Sequence, residues 1–252
     1  MSKTNLIRAF RANLTTEFRM PSDNVGKKLV EEYGALFAAG NGAIPPKQII
    51  FKNEAEVLEF QAGVAKETAI VGGFQIELQT AAMENLKNAV AEAERNDLTI
   101  TPRGDDAARR SYADTAQLWA SRVNPALIYW VKEGKITEAK AEKIRALSAF
   151  GQVPEIFKLE KKGIFFSKDL SKSIIYSVAP PGASQHLSML AFDVAEYDDK
   201  RVREILAKHG WVQTVVSDLP HFTFLGRAEN ELSRLGLKKI TDDERIFWIP
   251  NI

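Results

Sequence analysis

Residues 177–194 read SVAPPGASQHLSMLAFDV, and residues 209–225 read HGWVQTVVSDLPHFTFL. Residues 189–194 alternate as a half-buried strand does, directly after a proline- and glycine-rich turn. In the second stretch, residues 211–216 and 221–225 are β-rich in the same way. We therefore expect neighbouring strands of an antiparallel sheet here, with two of the three histidines of the chain close to it.

The residues that flank and separate these two stretches extend the pattern. Two further β-rich runs, residues 174–178 and 245–249, complete the predicted sheet. Between the first and second stretches, Val202, Ile205 and Leu206 lie on one face of a predicted helix.

The pattern before residue 173 is mostly helical. Apolar residues recur every four positions from Leu78 to Val90, which predicts a long amphipathic helix. The β-rich runs QIIF (48–51) and LTIT (98–101) predict short strands. A cap followed by a proline, Asn124-Pro125, predicts that one helix ends there and another begins.

Helices that come first and strands that come later are typical of the α+β class, here with helices packed on a small antiparallel sheet. A chain of 252 residues suggests one large domain with an appendage. We predict a helical N-terminal appendage over residues 1–68 and a main domain over residues 69–252.

Composition excludes several classes of function. Lys+Arg 34 minus Asp+Glu 33 leaves a net charge of +1, so no overall field attracts nucleic acid or anionic lipid. The apolar run at residues 126–131 is far shorter than the ~20 residues that cross a bilayer, and no membrane span is expected. Cysteine is absent, which excludes disulfides and thiolate sites. Residues 1–20 do not resemble an intact signal peptide, which predicts either an internal protein or a mature form.

The candidate chemistry lies at the histidines. The chain lacks the G-x-S-x-G, H-E-x-x-H, Walker and G-x-G-x-x-G motifs of the common hydrolases, NTPases and oxidoreductases. His186, Asp193 and His221 offer two imidazoles and one carboxylate, a set that suits zinc with a fourth position open for water. Taken singly, His186 and His221 each fit a hydrogen-bonded core residue better than a ligand, but together with Asp193 and Asp218 the joint pattern favours a metal site. His209 is expected to be a hydrogen-bonded core residue or, because it precedes Gly210, a cation at the end of a helix.

Asp218 lies three residues before His221. A carboxylate in this position can stay off the metal and act as general base, because zinc lowers the pKa of a water that it binds. The same group can then return the proton to the departing amine.

The stretch SVAPPGASQHLSMLAFDV (177–194) resembles the S-x-H-x-x-G-x-A-x-D metal motif of the zinc D-alanyl-D-alanine carboxypeptidases and dipeptidases. This superfamily shares its core with the hedgehog signalling domain. Its His and Asp ligands match His186 and Asp193, and its later E/D-x-x-H matches Asp218 as base and His221 as third ligand. The DLPHF form looks most like the branch that contains phage L-alanyl-D-glutamate endopeptidases. The resemblance implies a hedgehog-like α+β fold and a Zn²⁺ cofactor.

The resemblance also implies a substrate-binding element upstream. Its R-S-Y sequence matches Arg110, Ser111 and Tyr112, so Arg110 is expected to bind a substrate carboxylate with Tyr112 in support. Arg103 and Arg109 compete for this role, because the stretch after Pro102 looks lengthened. Ser184 is expected to hydrogen-bond the substrate or the residues around the metal.

The resemblance covers residues 75–225, with two departures. Met189 replaces the usual glycine of the metal motif, which predicts a bulkier strand beside the metal. Leu219-Pro220 stands where carboxypeptidase members have a residue followed by tryptophan, which leaves the substrate open.

The function implied is a zinc peptidase that hydrolyses peptidoglycan stem-peptide bonds involving D-amino acids, as the D-Ala-D-Ala carboxypeptidases do. The alternatives are an L-Ala-D-Glu-type endopeptidase or amidase on the same scaffold, and a non-catalytic, metal-containing module that binds cell wall. Such a substrate implies the cell envelope, the periplasm or the exterior as the location.

Overall fold

The computed structural model describes residues 10–14 and 17–252. Residues 10–13 are helical, and the labelled α-helices that follow are α1 (Asn24–Tyr33), α2 (Glu54–Ala62), α3 (Thr80–Glu94), α4 (Tyr112–Lys132), α5 (Glu138–Arg145), α6 (Ala149–Glu160), α7 (Lys200–Lys208) and α8 (Glu229–Leu232). The strands are β1 (Lys66–Val71), β2 (Phe74–Gln79), β3 (Ala191–Asp193), β4 (Trp211–Val212), β5 (His221–Phe224), β6 (Leu237–Asp242) and β7 (Arg245–Pro250). Short 3-10 helices lie at Gly34–Ala38, Ile174–Tyr176 and Gln185–Ser188. Among these residues, every helix is too short or too polar to cross a bilayer.

The chain divides into two compact units. The first contains the described residues up to Ile49, together with Glu59–Arg110 and Gln185–Ile252. The second contains Ile50–Leu58 and Ser111–Ser184. The division predicted at residue 68 stays a prediction, and residues 1–9, 15 and 16 of that segment lie outside the described residues.

Small antiparallel sheets and helices build the first unit, and the predicted α+β class is confirmed. Its three-stranded sheet has the order β3-β5-β4, while β1 pairs with β2 and β6 pairs with β7 in separate hairpins. The β1–β2 hairpin turns at Gly72-Gly73, where both residues have positive φ (54° and 87°). Two glycines suit such a tight hairpin turn, because they adopt positive φ without steric cost.

A continuous apolar core lies behind the three-stranded sheet. Leu78 and Leu86 are fully buried in it, together with Phe192, Trp211 and Phe224 of the sheet. The Trp211 ring lies 6.0 Å from Phe192 and 5.2 Å from Phe224, centroid to centroid. Burying aromatic rings of this size stabilises the sheet by about 1.5–3 kcal/mol per side chain, which holds β3 and β5 in a fixed register.

Helix α4 is the longest described helix of the second unit. The prediction that a helix ends at Asn124-Pro125 was wrong. Ser111 begins the helix with a capping box to Asp114, and the helix then continues through Pro125 to Lys132 instead of ending at Asn124-Pro125. The proline removes one backbone hydrogen bond. However, the buried face runs on past it, from Trp119 and Val123 to Leu127. We attribute the continuous helix to this packing.

Several predicted strands are also absent from the described structure. Residues 48–51 and 98–101 are irregular, and next to the latter only an isolated bridge joins Pro102 to Val194. Residues 245–249 lie in β7, which pairs with β6 rather than with the histidine-bearing sheet.

The β-rich run at residues 174–178 contains the 3-10 helix Ile174–Tyr176 instead of a strand. The buried Glu160 carboxylate accepts a hydrogen bond from the backbone amide of Ile174 at 2.6 Å. It accepts another from the hydroxyl of Ser173. These bonds cap the first turn of the short helix, which competes with the β preference of the isoleucines.

Candidate metal centre

His186, Asp193 and His221 meet in the first unit. His186 Nε2 lies 3.2 Å from Asp193 Oδ1 and 3.2 Å from His221 Nδ1, and the third side of the triangle, Asp193 Oδ1 to His221 Nδ1, measures 3.1 Å. Both histidines are buried (2% and 4% exposed), while the Asp193 side chain keeps 14% of its surface exposed. Side chains distant in sequence thus present three donor atoms to one point.

The sheet register brings two of these residues together. Asp193, at the end of β3, pairs directly with His221, at the start of β5. Residues directly opposite in an antiparallel pair project their side chains from the same face. The pairing of the two strands therefore places the Asp193 carboxylate beside the His221 imidazole.

His186 reaches the same point from the 3-10 helix Gln185–Ser188, and Met189 connects that helix to β3. Met189 has φ +57°, in the left-handed region that favours glycine. The motif that the sequence resembles carries glycine at this position. Thus the backbone has a glycine-like conformation there, although the residue is methionine rather than the glycine of the motif.

Hydrogen bonds indicate where the imidazole protons lie. His186 Nδ1 is 2.7 Å from the carbonyl oxygen of Ala108, and His221 Nε2 is 2.8 Å from Gln185 Oε1. Since both partners are oxygen acceptors, a neutral imidazole keeps its proton on the nitrogen that faces them. His186 Nε2 and His221 Nδ1 then present bare lone pairs to each other and to Asp193 Oδ1.

The triangle fits a small divalent cation. Three lone pairs 3.1–3.2 Å apart repel one another unless a positive charge lies between them. Tetrahedral zinc with bonds of about 2.0–2.1 Å separates its ligand atoms by roughly 3.3–3.4 Å, close to the observed spacing. Three donors also leave a fourth position open.

Burial sets the charge of the cluster. Complete burial lowers the pKa of His186 below its ordinary value, which keeps the imidazole neutral and able to ligate. Burial alone would raise the pKa of Asp193, but attraction to the protonated forms of His186 and His221 outweighs this effect and lowers the pKa well below the ordinary value. Beside neutral histidines, the guanidinium of Arg110, 2.8 Å from Oδ2, is the positive charge that keeps Asp193 ionised. Asp193 is therefore a carboxylate.

Arg110 lies against this carboxylate. Its Nη2 donates to Asp193 Oδ2 at 2.8 Å and lies 3.4 Å from Asp106 Oδ2, and its Nε donates to the carbonyl of Asp106 at 2.9 Å. Because Oδ2 is occupied by Arg110, Oδ1 is left to face the histidines. In this structure Arg110 is thus a hydrogen-bond partner of Asp193, one of the three candidate ligands.

The two competing arginines lie elsewhere in the first unit. Arg109 Nε donates to Gln61 Oε1 at 2.8 Å, and its Nη1 lies 3.6 Å from Glu77 Oε1. Arg109 and Glu77 both line a polar cleft of about 250 Å³. Arg103 is exposed, with its guanidinium 5.9 Å from the centre of the Tyr197 ring.

The other three predicted site residues are divided between the two units. Asp218 is exposed in the turn before β5, and its carbonyl accepts a hydrogen bond from the amide of His221 at 3.2 Å. Ser184 and Tyr112 belong to the second unit, where Tyr112 is the first residue of α4 and burial raises the pKa of its hydroxyl. The predicted roles of these three residues stay predictions.

His209 takes no part in the described cluster. It is the C-cap residue of α7, and its Nε2 lies 2.8 Å from Glu92 Oε2. The prediction that His209 ends a helix is confirmed.

Three supporting groups were not found from the sequence: Gln185, the carbonyl of Ala108, and Arg110 as partner of Asp193. Gln185 stands inside the metal motif, between Ser184 and His186, but at a position where the motif specifies no residue type. The Ala108 carbonyl carries no side-chain signal. These contacts depend on residues distant in the chain, so spacing alone does not reveal them.

Comparison with known proteins finds only distant likeness. No protein-family model matches the chain, and no curated protein matches it. A solved structure of a mutant vancomycin-resistance D,D-pentapeptidase, VanY from a VanB-type resistance cassette in complex with Zn(II), is similar over 66% of this chain and 82% of that chain. The identity is 14% and the TM-score 0.37. Such values do not by themselves establish a shared fold, so function is argued from the side chains of the cluster.

Proposed function

We propose that this chain is a zinc-dependent peptidase that hydrolyses a bond involving a D-amino acid in peptidoglycan stem peptides. The observation that carries the proposal is the buried triangle of His186 Nε2, Asp193 Oδ1 and His221 Nδ1, with edges of 3.1–3.2 Å. The substrate class rests on the resemblance of this motif, together with Asp218, to the zinc D-Ala-D-Ala peptidases.

His186, Asp193 and His221 hold the metal in this proposal. A bound zinc ion supplies Lewis-acid polarisation of the scissile carbonyl and acidifies a water molecule. The neutral histidines and the single carboxylate leave the site with one net positive charge when zinc is present, which favours the build-up of negative charge on the substrate oxygen.

Asp218 acts as general base and then as general acid. Its exposed position before β5 leaves the side chain in contact with solvent. Its backbone bond to the amide of His221 ties this turn to a ligand residue. In the proposed cycle, Asp218 takes the proton of the attacking water and delivers it to the departing amine.

Arg110 holds the substrate through its guanidinium while one Nη atom keeps Asp193 in place. A guanidinium offers five donors, so the bonds to Asp193 and Asp106 leave others to bind a carboxylate or carbonyl oxygen. Tyr112 supports Arg110, and Ser184 hydrogen-bonds the substrate. A protein with this substrate acts in the cell envelope or outside the cell.

The test is digestion of purified muropeptides, with the products identified by mass spectrometry. Loss of a terminal D-alanine supports a carboxypeptidase, and cleavage between L-alanine and D-glutamate supports the endopeptidase branch that the DLPHF sequence resembles. His186→Ala is the inactive control and His209→Gln the matched histidine control. The proposal would be contradicted if the zinc-loaded wild type cut no stem peptide, or if His186→Ala cut stem peptides as fast as the wild type.

A further inference from the structure

The Gln185 side chain links a metal-cluster histidine to the backbone of α1. It is 3% exposed, and its Oε1 lies 2.8 Å from His221 Nε2. At its other end, Nε2 donates to the carbonyl oxygen of Tyr33 at 2.9 Å. Gln185 therefore bridges the last residue of α1 and the outer nitrogen of His221.

The Tyr33 carbonyl fixes which way the Gln185 amide points. A backbone carbonyl only accepts hydrogen bonds, so the amide nitrogen must face Tyr33 and the amide oxygen must face His221. The reverse orientation would place two acceptor oxygens 2.9 Å apart in a buried site, and a buried acceptor without a donor costs about 1–3 kcal/mol.

The surrounding hydroxyls agree with this orientation. Thr223 Oγ1 donates to Gln185 Oε1, and Gln185 Nε2 lies 3.4 Å from Thr214 Oγ1. The two threonine hydroxyls are 2.6 Å apart, so Thr214 donates to Thr223 and closes the ring. Both threonines are fully buried, and each bond has one consistent donor and one acceptor.

The orientation of the amide decides the tautomer of His221. Because Gln185 presents an oxygen, His221 Nε2 must carry the proton that it donates. His221 Nδ1 is then bare, 3.2 Å from His186 Nε2 and 3.1 Å from Asp193 Oδ1. Without Gln185, the proton would be held better on Nδ1, where Asp193 Oδ1 accepts it, and a metal ion would have to displace it.

We propose that Gln185 is a positioning residue, and that the Tyr33–Gln185–His221 chain of hydrogen bonds prepares His221 Nδ1 as a metal ligand before the metal binds. This inference rests on the metal-binding part of the proposed function. Groups that hold the outer nitrogen of a ligating histidine fix its ring orientation and tautomer. Gln185 does so through an uncharged amide, at a position that the metal motif leaves unspecified.

The first measurement is the tautomer of His221 in the metal-free wild-type protein. The nitrogen chemical shifts of the imidazole, recorded by long-range ¹H–¹⁵N NMR at mildly alkaline pH, distinguish Nε2–H from Nδ1–H. We expect Nε2–H before zinc is added. A metal-free spectrum with the proton on Nδ1 would overturn the proposal, and this result does not depend on any variant folding.

The second measurement is zinc affinity, determined by competition with a chromophoric chelator. Gln185→Met keeps the length and burial of the side chain but removes its hydrogen bonds, and we expect affinity to fall by about 10–100-fold. Gln79→Met is the matched control. Gln79 is 2% exposed and its amide also donates to backbone carbonyls, those of Ile44 and Ser188, but to none of the three ligand side chains.

The outcomes separate the two proposals. Weaker zinc binding in Gln185→Met alone, together with loss of the Nε2–H tautomer, supports the positioning role. Equal affinity of Gln185→Met and the wild type contradicts that role and leaves the metal centre standing. A wild-type protein that takes up no zinc contradicts the proposed function itself. In that case the NMR spectrum still tests whether Gln185 holds the proton of His221 on Nε2.

Discussion

Asp193 and His221 lie directly opposite each other on β3 and β5, and Asp193 Oδ1 is 3.1 Å from His221 Nδ1. The other carboxylate oxygen of Asp193 is held by Arg110 at 2.8 Å. The two carboxylate oxygens thus make different contacts: Oδ2 accepts a hydrogen bond from the guanidinium, and Oδ1 completes the triangle with the two histidines.

Arg110 and Arg109 should differ in their effect on metal binding. Arg110→Ala removes the partner of Asp193 Oδ2, so we expect zinc affinity to fall by about 10–100-fold and KM to rise. Arg109 contacts Gln61 and Glu77 rather than a ligand residue, so Arg109→Ala should leave zinc affinity unchanged. Chelator competition and steady-state kinetics on the same two variants measure both effects. Unchanged zinc affinity in Arg110→Ala would contradict the role of its bond to Asp193.

Asp218→Asn should keep the metal and lose turnover. The amide preserves the shape of the side chain but cannot accept a proton, so we expect kcat to fall by about 10²–10⁴-fold. Asp106→Asn is the matched control, since Asp106 is also exposed and lies 3.4 Å from Arg110. If the Asp106 variant loses turnover instead, the base has been assigned to the wrong carboxylate. Loss of zinc in Asp218→Asn would make Asp218 a ligand.

Met189→Gly should destabilise the protein despite the positive φ of 57° at this position. Glycine relieves about 1–2 kcal/mol of left-handed strain, but removing a fully buried methionine costs about 2–5 kcal/mol. We expect a net loss of about 2 kcal/mol in the free energy of unfolding, within a range of about 0–4 kcal/mol, with zinc binding retained. Leu170 has φ 59° but is only half-buried, so Leu170→Gly should change stability less. Urea unfolding of both variants gives the comparison, and an equal loss in the two would contradict it.

A surface ion pair of the second unit should make stability depend on pH. Hydrogen bonds from Lys140 and Lys158 lower the pKa of Glu155 to about 2, from an ordinary value of 4.5. A lowered carboxyl pKa stabilises the fold above pH 4.5, and this contribution is lost as the pH falls toward 2. Both lysines are well exposed (40% and 68%), so we expect the contribution at neutral pH to be at most about 1 kcal/mol.

Glu155→Gln tests this contribution. The difference in unfolding free energy between this variant and the wild type should be present at neutral pH and shrink as the pH falls through the window from 4.5 to about 2. Glu142→Gln, at an exposed position of α5, is the control. A difference that persists at the acid end of the window would show that Glu155 stabilises the unit by something other than its charge.

The metal triangle was predictable from the sequence because local pattern and chemistry agree there. The strand pattern at residues 189–194 and 221–225 predicted adjacent strands, and adjacent strands with the right register bring Asp193 beside His221. His186 follows a turn and needs only a short connection to reach the same point.

The hydrogen bonds that hold the three side chains of the triangle in place were not predictable, because residues distant in the chain make them. Gln185 and Tyr33 are 152 positions apart, and their bond involves a backbone carbonyl that any residue type provides. The continuous helix through Pro125 has the same origin, since packing of Val123 and Leu127 outweighs a local helix-breaking signal. Likewise, hydrogen bonds from Glu160 favour a helical turn in the β-rich run at Ile174.

The metal content of the purified protein tests the central claim most directly. Native mass spectrometry of the wild type, His186→Ala and His209→Gln compares a cluster histidine with the helix-end histidine of the same chain. We predict about one zinc ion per chain in the wild type, the same in His209→Gln, and none in His186→Ala. Zinc retained by His186→Ala, or lost from His209→Gln alone, would contradict the assignment of the metal centre to His186, Asp193 and His221.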